Sequence, residues 1–309
     1  MNASDNVTER ARMRAQRDPA WLSVACGPAL DALSGLLPFY LPLAQHISEV
    51  QAAKAAPLIV AIQGPQGAGK TTLAALLERV LVDVAELTVA SLSIDDLYLT
   101  RSERQELALR VHPLFLTRGV PGTHDVELGV RVLSALAAPG RTAIPRFDKA
   151  RDDRLPEQAW PQIEGPCDVV LFEGLWLGLP ALDDDALHTP YNQLEAREDP
   201  HGSWRGYANH ALRTLYPALF APCDLLVHFA VPDFACVRRW RSQAEHDLRA
   251  RLASAGADSA RLMDDTALAR FFEHYERFTA HAMAELPARA DVVLQLDRAH
   301  HVVRSTLEK

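Results

Sequence analysis

The chain has 309 residues, 48% of them hydrophobic and 23% charged, with a formal net charge of −8. This composition can supply the core of a globular protein, built as one large domain or two small ones. The acidic balance argues against a broad nucleic-acid-binding face or an anionic-membrane surface, and leaves room for a small basic pocket.

Residues 1–56 read as a helical lead-in, polar from Thr8 to Arg17 and more apolar from Trp21 to Val50. Breaks are expected at Pro28, Pro38 and Pro42, because proline lacks the N–H that a helix needs. The polar, mixed-charge start has no signal-peptide pattern. The run Leu36–Leu43 is too short and too proline-broken to span a bilayer, so no membrane partner is expected. Cys26, Cys167, Cys223 and Cys236 are scattered and form no C-x-x-C pair. They read as reduced thiols of a cytoplasmic protein, with neither a zinc site nor a disulfide framework.

Pro57–Gln63 is a short apolar run with β-branched residues, expected to be a buried parallel strand. It leads into Gly64-Pro65-Gln66-Gly67-Ala68-Gly69-Lys70-Thr71-Thr72, which fits the phosphate-loop pattern G-x-x-x-x-G-K-[ST]. Leu73–Val82 follows, made of good helix formers. Strand, glycine loop and helix come in the order that phosphate binding requires. The glycines let backbone N–H groups turn inward, and the helix N-terminus adds a partial positive charge. Lys70 is then placed to reach the β- and γ-phosphates of ATP, and the Thr71 hydroxyl to ligate Mg2+. A glycine turn without a ligand is the bland alternative, and the flanking strand and helix weigh against it.

The second strand is expected at Val89–Ile94, ending in Asp95-Asp96. A hydroxyl that attacks phosphorus must lose its proton, and a carboxylate within reach can take it. Asp95, directly after the strand, is the expected base. Asp96 is open to a helix cap, a metal-shell contact or a solvated position. Arg118-Gly-Val-Pro-Gly-Thr-His-Asp125 reads as a turn-rich loop, with Arg118 suited to an anion and His124 or Asp125 to hydroxyls. Arg146, Asp148, Lys149, Arg151 and Arg154 cluster in the next loop and suit carboxylates or phosphates, unless the loop is only a solvated charge run. The third strand, Asp168–Glu173, ends in an acid placed to hold Mg2+ or its water. Leu225–Val231 is the fourth strand. A helix then opens with Arg238, Arg239 and Arg241. Arg238 and Arg241 share a face and could close over ATP, or Arg241 could simply pair with Glu245 on a solvent face. Val292–Leu296 is the fifth strand, and His300-His301 reads as a solvated tail.

Strands alternating with helices imply an α/β fold with a mostly parallel sheet covered on both faces, and ligands beyond the carboxyl ends of the strands. Three successive strands end in the glycine loop, in Asp95-Asp96 and in Glu173-Gly174, which points to one active site.

These motifs together resemble the P-loop small-molecule kinases related to uridine kinase, phosphoribulokinase and bacterial pantothenate kinase. The set is most similar to the plant-type D-glycerate 3-kinase family, through Gly64–Thr72, Ser93–Thr100, Arg118–Asp125, Pro145–Lys149, Phe172–Gly174 and Trp240–Glu245. The resemblance implies a three-layer P-loop NTPase domain over 57–309. It also implies ATP- and Mg2+-dependent phosphorylation of a small hydroxy acid, D-glycerate, at its 3-hydroxyl. Asp95, Lys70, Arg238 and Arg241 would form the catalytic set, with Thr71 and Glu173 at the metal. Asp96, Tyr98, Arg118, His124, Asp125, Arg146, Lys149 and Arg154 would meet the acceptor. The other readings are a kinase of this fold acting on pantothenate, a nucleoside or a sugar, and a non-catalytic ATP-binding switch. A base at Asp95 weighs against the switch.

Overall fold

The computed structural model describes residues 6–18, 20–22, 30–54, 56–254 and 263–307. Cys26 and Pro28 lie outside the described residues. The strands are β1 (Leu58–Gln63), β2 (Val89–Ser93), β3 (Gly140–Ala143), β4 (Phe147–Asp148), β5 (Asp153–Arg154), β6 (Gln162–Gly165), β7 (Val169–Gly174), β8 (Leu225–Ala230), β9 (Val292–Leu296) and β10 (Val302–Ser305). Six of them form one sheet in the order β10-β9-β8-β1-β7-β2. β10 runs antiparallel to β9, and the other neighbours are parallel. β3 with β6, and β4 with β5, form two small antiparallel ribbons.

The period-2 alternation of strand side chains explains the layers. Leu58, Val60 and Ile62 of β1, with Val169 and Leu171 of β7, pack against helices Leu30–Lys54 and Lys70–Asp83. Ile59, Ala61, Val170 and Phe172 face the other way, against helices Val126–Leu136, Ser203–Thr214 and Asp265–Glu285. The sheet is therefore covered on both faces, as parallel strands buried on both sides require. No described helix is long and apolar enough to cross a membrane.

The structure departs from the sequence expectations at both ends. Pro38 and Pro42 do not break the lead-in; both lie inside helix Leu30–Lys54. An internal proline costs about 3 kcal/mol. The helix also buries Tyr40, Leu41, Leu43, Ala44 and Ile47, at roughly 1.5–3 kcal/mol for each large apolar side chain, and that total outweighs the two prolines. At the other end, His300-His301 is no solvated tail but part of the turn into the edge strand β10. The second strand stops at Ser93, whose hydroxyl accepts from the Asp95 N–H (3.3 Å) and starts a tight turn over Ile94–Leu97.

A buried ionic network ties three helices together on the second layer. Arg277 donates to both oxygens of Glu195 (2.8 and 2.6 Å), and Arg205 reaches Glu195 (3.9 Å) and Asp199 (3.0 Å). All four side chains are buried. Glu195→Ala would leave two guanidinium groups short of a counter-charge in a low-dielectric setting. We predict a loss of about 3–5 kcal/mol in unfolding free energy by urea titration. An unchanged midpoint would mean that the network does not hold these helices.

Candidate active site

The register of the central strands sets the site. Gln63, the last residue of β1, pairs with Gly174 of β7, and Ser93 of β2 pairs with Glu173. The glycine loop, Glu173 and the Asp95 turn therefore leave the sheet side by side at its carboxyl edge. Gly67 and Gly69 take φ of +76° and +102°, a region that costs glycine little and other residues more. Gly69 is the N-cap of helix Lys70–Asp83 and offers no side-chain cap, so the first-turn N–H groups suit an anion.

Lys70 Nζ donates to the Pro65 carbonyl (3.1 Å), folded back over the loop. Burial pushes its ammonium below the ordinary lysine range, against the opposing pull of Glu173 and Asp95. The Thr71 hydroxyl lies 3.4 Å from Glu173 Oε1. A hydroxyl and a carboxylate oxygen side by side form a hard-oxygen pair that fits Mg2+ shared with phosphate oxygens.

The two aspartates have different surroundings. Asp95 accepts from the Tyr98 hydroxyl at Oδ1 and from Lys149 Nζ at Oδ2, both at 2.7 Å. Burial pushes its carboxyl up, but the charge and hydrogen bond of Lys149, with Tyr98 and Lys70, outweigh that and hold it below the ordinary range. Asp96 turns away. Its oxygens accept from the Phe147 N–H (3.0 Å) and from Arg146 (3.2 Å), and burial leaves it above the ordinary range. Asp96 thus fastens the Arg146–Phe147 backbone beside the site.

The loop arginines already have partners. Arg118 pairs with Asp152 and lies over the Phe147 ring (5.3 Å). Arg154 donates to Asp125 Oδ2 (3.1 Å). The other oxygen of Asp125 accepts from the Leu128 N–H (2.9 Å), so Asp125 is the N-cap of helix Val126–Leu136. Arg154 and Asp125 brace the loop, whereas Arg118, Arg146 and Lys149 keep 28%, 36% and 63% of their side chains exposed at its rim.

His124 is buried and packs against Tyr98, with the rings tilted 35° and their centres 4.8 Å apart. The Tyr216 oxygen accepts from the Gly122 N–H (3.0 Å) and shares a hydrogen bond with His124 Nδ1 (2.5 Å). Burial lowers the imidazole to about 4, so the ring is neutral at physiological pH.

Sequence reasoning missed Arg104, Asp152, Tyr216 and Tyr275. Arg104 is 1% exposed, with two nitrogens on the Asp152 carboxylate (2.8 and 3.1 Å). Its helix reads Arg-Ser-Glu-Arg-Gln-Glu, which gives no sign of a buried cation. The Tyr275 hydroxyl donates to the Arg118 carbonyl (2.6 Å). A Cβ at residue 119 would lie 2.1 Å from that hydroxyl, so only glycine fits there. A glycine at a loop apex was the one legible hint of this close approach.

The helix expected to close over the nucleotide, Phe234–Ser254, passes the glycine loop at Trp240–Arg241, where a Cβ on Gly67 would lie 3.6 Å from the Arg241 backbone nitrogen. Arg241 pairs with Glu245 (2.8 Å), as the plainer reading expected, but Glu245 is buried. Arg238 lies over Phe272 (5.6 Å).

No protein-family model matches the chain. It is similar to the chloroplastic D-glycerate 3-kinase of Arabidopsis thaliana, 32% identical over 245 residues, which cover 76% of this chain and 50% of that protein. The chain thus spans about half the length of this relative. It is 34% identical to the uncharacterized kinase mug58 of Schizosaccharomyces pombe over 230 residues, 71% of this chain and 78% of that protein. Among solved structures, the D-glycerate 3-kinase of Cryptococcus neoformans matches with a TM-score of 0.68 at 25% identity, over 85% of this chain and 98% of that one.

The pairing at Asp95 has a pH signature. Removing Lys149 removes the main influence that lowers the carboxyl and leaves burial less opposed. In Lys149→Met the Asp95 carboxyl should therefore titrate at higher pH than in wild type, so that the ionised form persists over a narrower range on acidification. Carboxyl-carbon NMR titration reads this directly. Identical titrations would show that the contact does not form in solution.

Proposed function

The chain belongs to the plant-type D-glycerate 3-kinase family of P-loop kinases, and from that premise we propose that it transfers the γ-phosphoryl group of ATP to the 3-hydroxyl of D-glycerate, giving 3-phospho-D-glycerate. The observation that carries this reading is the meeting of an ionised carboxylate, Asp95, with the phosphate-loop lysine and a cationic rim. The Lys70 ammonium feels Glu173, Asp95 and Lys149 together. A non-catalytic switch has no use for a base beside its phosphate loop.

The residues divide the work as follows. The glycine-loop N–H groups and Lys70 hold the β- and γ-phosphates. Thr71 and Glu173 would hold Mg2+, which when bound neutralises charge on those phosphates. Asp95, oriented by Tyr98, accepts the proton of the 3-hydroxyl as the oxygen–phosphorus bond forms. Its low proton affinity suits a loose transition state in which the proton leaves late. Arg118 and Lys149 receive the acceptor carboxylate, because both are exposed at the rim and Arg118 shares the surroundings of Tyr275 with Asp95. His124 hydrogen-bonds a hydroxyl of the acceptor through Nε2, which meets no partner among the described residues. Arg238 and Arg241 stabilise charge during transfer. A carboxylate drawn to Lys149 also loosens its grip on Asp95, which couples recognition of an acid to release of the base. The setting we propose is cytoplasmic.

The test is turnover of ATP with D-glycerate, glycerol, pantothenate and uridine, with the products identified by phosphorus and carbon NMR. D-glycerate should give the 3-phosphate. Glycerol should react at least about a hundredfold more slowly, because it has no carboxylate to engage Arg118 and Lys149 or to draw Lys149 from Asp95. A 2-phosphate product would reject the regiochemistry. Turnover of pantothenate or uridine in place of D-glycerate would reject the acceptor and leave a kinase.

A further inference from the structure

The turn between β9 and β10 is fastened to the glycine loop. It closes on itself through Asp297 N–H to the His301 carbonyl (2.9 Å) and His301 N–H to Asp297 Oδ1 (2.8 Å). Arg298 pairs with Asp233 (2.6 Å), and the Arg239 guanidinium donates to the Arg298 carbonyl, so the turn is tied to the start of helix Phe234–Ser254. His300 takes a φ of +71°, where residues other than glycine are uncommon and strain marks functional positions. That backbone lays its ring on Trp240, with centres 4.3 Å apart and planes 25° apart. The imidazole is also within hydrogen-bonding reach of the Gly67 and Ala68 backbone. Trp240 is buried under it, while His300 stays exposed.

The position of this stack in the sheet gives it a use. The glycine loop leaves β1. On one flank stand β7 and β2, which carry Glu173 and Asp95; on the other stand β8, β9 and β10. A nucleotide whose γ-phosphate faces Asp95 must extend its base toward the other flank. A flat, braced and exposed ring is waiting there, next to the two loop residues whose backbone would border the phosphates. Aromatic faces bind nucleobases by stacking, and a ring already fixed by its neighbours loses little freedom on binding.

We propose that His300, braced from below by Trp240, is the stacking platform for the purine base of the nucleotide. The proposal rests on the kinase reading above, and its test separates the two. Full-length wild type, His300→Ala and His300→Phe are titrated calorimetrically with ADP and, separately, with inorganic pyrophosphate, which has phosphates but no base. In His300→Ala, ADP should bind about tenfold more weakly, with pyrophosphate unchanged. His300→Phe, which keeps a flat ring, should retain most of the ADP affinity. Equal weakening of both ligands in His300→Ala would make His300 a brace of the glycine loop and overturn the platform. So would unchanged ADP binding in His300→Ala, or loss of ADP binding in His300→Phe. If wild type binds neither ligand, the kinase reading itself falls, and this inference with it.

Discussion

The burial of one ammonium among carboxylates is the interaction on which the site depends. A lysine or aspartate taken out of water alone shifts its proton equilibrium and neutralises. Here opposite charges act against that cost: Glu173 and Asp95 for the Lys70 ammonium, and Lys149 and Lys70 for the Asp95 carboxylate, as one set. The set exists only because β1, β7 and β2 are neighbours in register, so that three chain segments end at one edge. The sheet is thus a positioning device, and its two apolar layers are what keep that edge fixed.

The acceptor side shows a second use of the same physics. An acidic chain surrounds its site with arginines but gives each a carboxylate: Asp152 for Arg104 and Arg118, Asp96 for Arg146, Asp125 for Arg154. These pairs shape loops that would otherwise repel themselves. What remains at the rim is a small cationic margin, which fits a small anion better than a polymer or a membrane.

Much of this was legible in the sequence, and the parts that were not share a cause. The glycine loop, Asp95 and Glu173 stand at the ends of short apolar runs, and those runs, alternating with helices, pointed to one edge of a parallel sheet. The N-terminal helix was misjudged because local proline chemistry was weighed without the apolar face that packs on helix Lys70–Asp83. Asp125 reads as a candidate ligand but serves as a helix cap, since a cap and a ligand use the same residue type. Arg104, Tyr275, Tyr216 and the Trp240–His300 stack depend on contacts between segments far apart in the chain. Tyr275 lies 157 residues from the Arg118 carbonyl it holds, and no local pattern records such a pairing.

The central claim is that two adjacent aspartates differ in kind: Asp95 takes the proton, and Asp96 holds a loop. The most direct measurement is kcat with ATP and D-glycerate for Asp95→Asn and Asp96→Asn, each with its thermal midpoint and ATP affinity. The account predicts a loss of roughly 10²–10⁴-fold in kcat for Asp95→Asn, with ATP affinity near wild type. For Asp96→Asn it predicts a raised KM for D-glycerate and a lower thermal midpoint, with kcat largely kept. An inactive Asp96→Asn beside an active Asp95→Asn would contradict it.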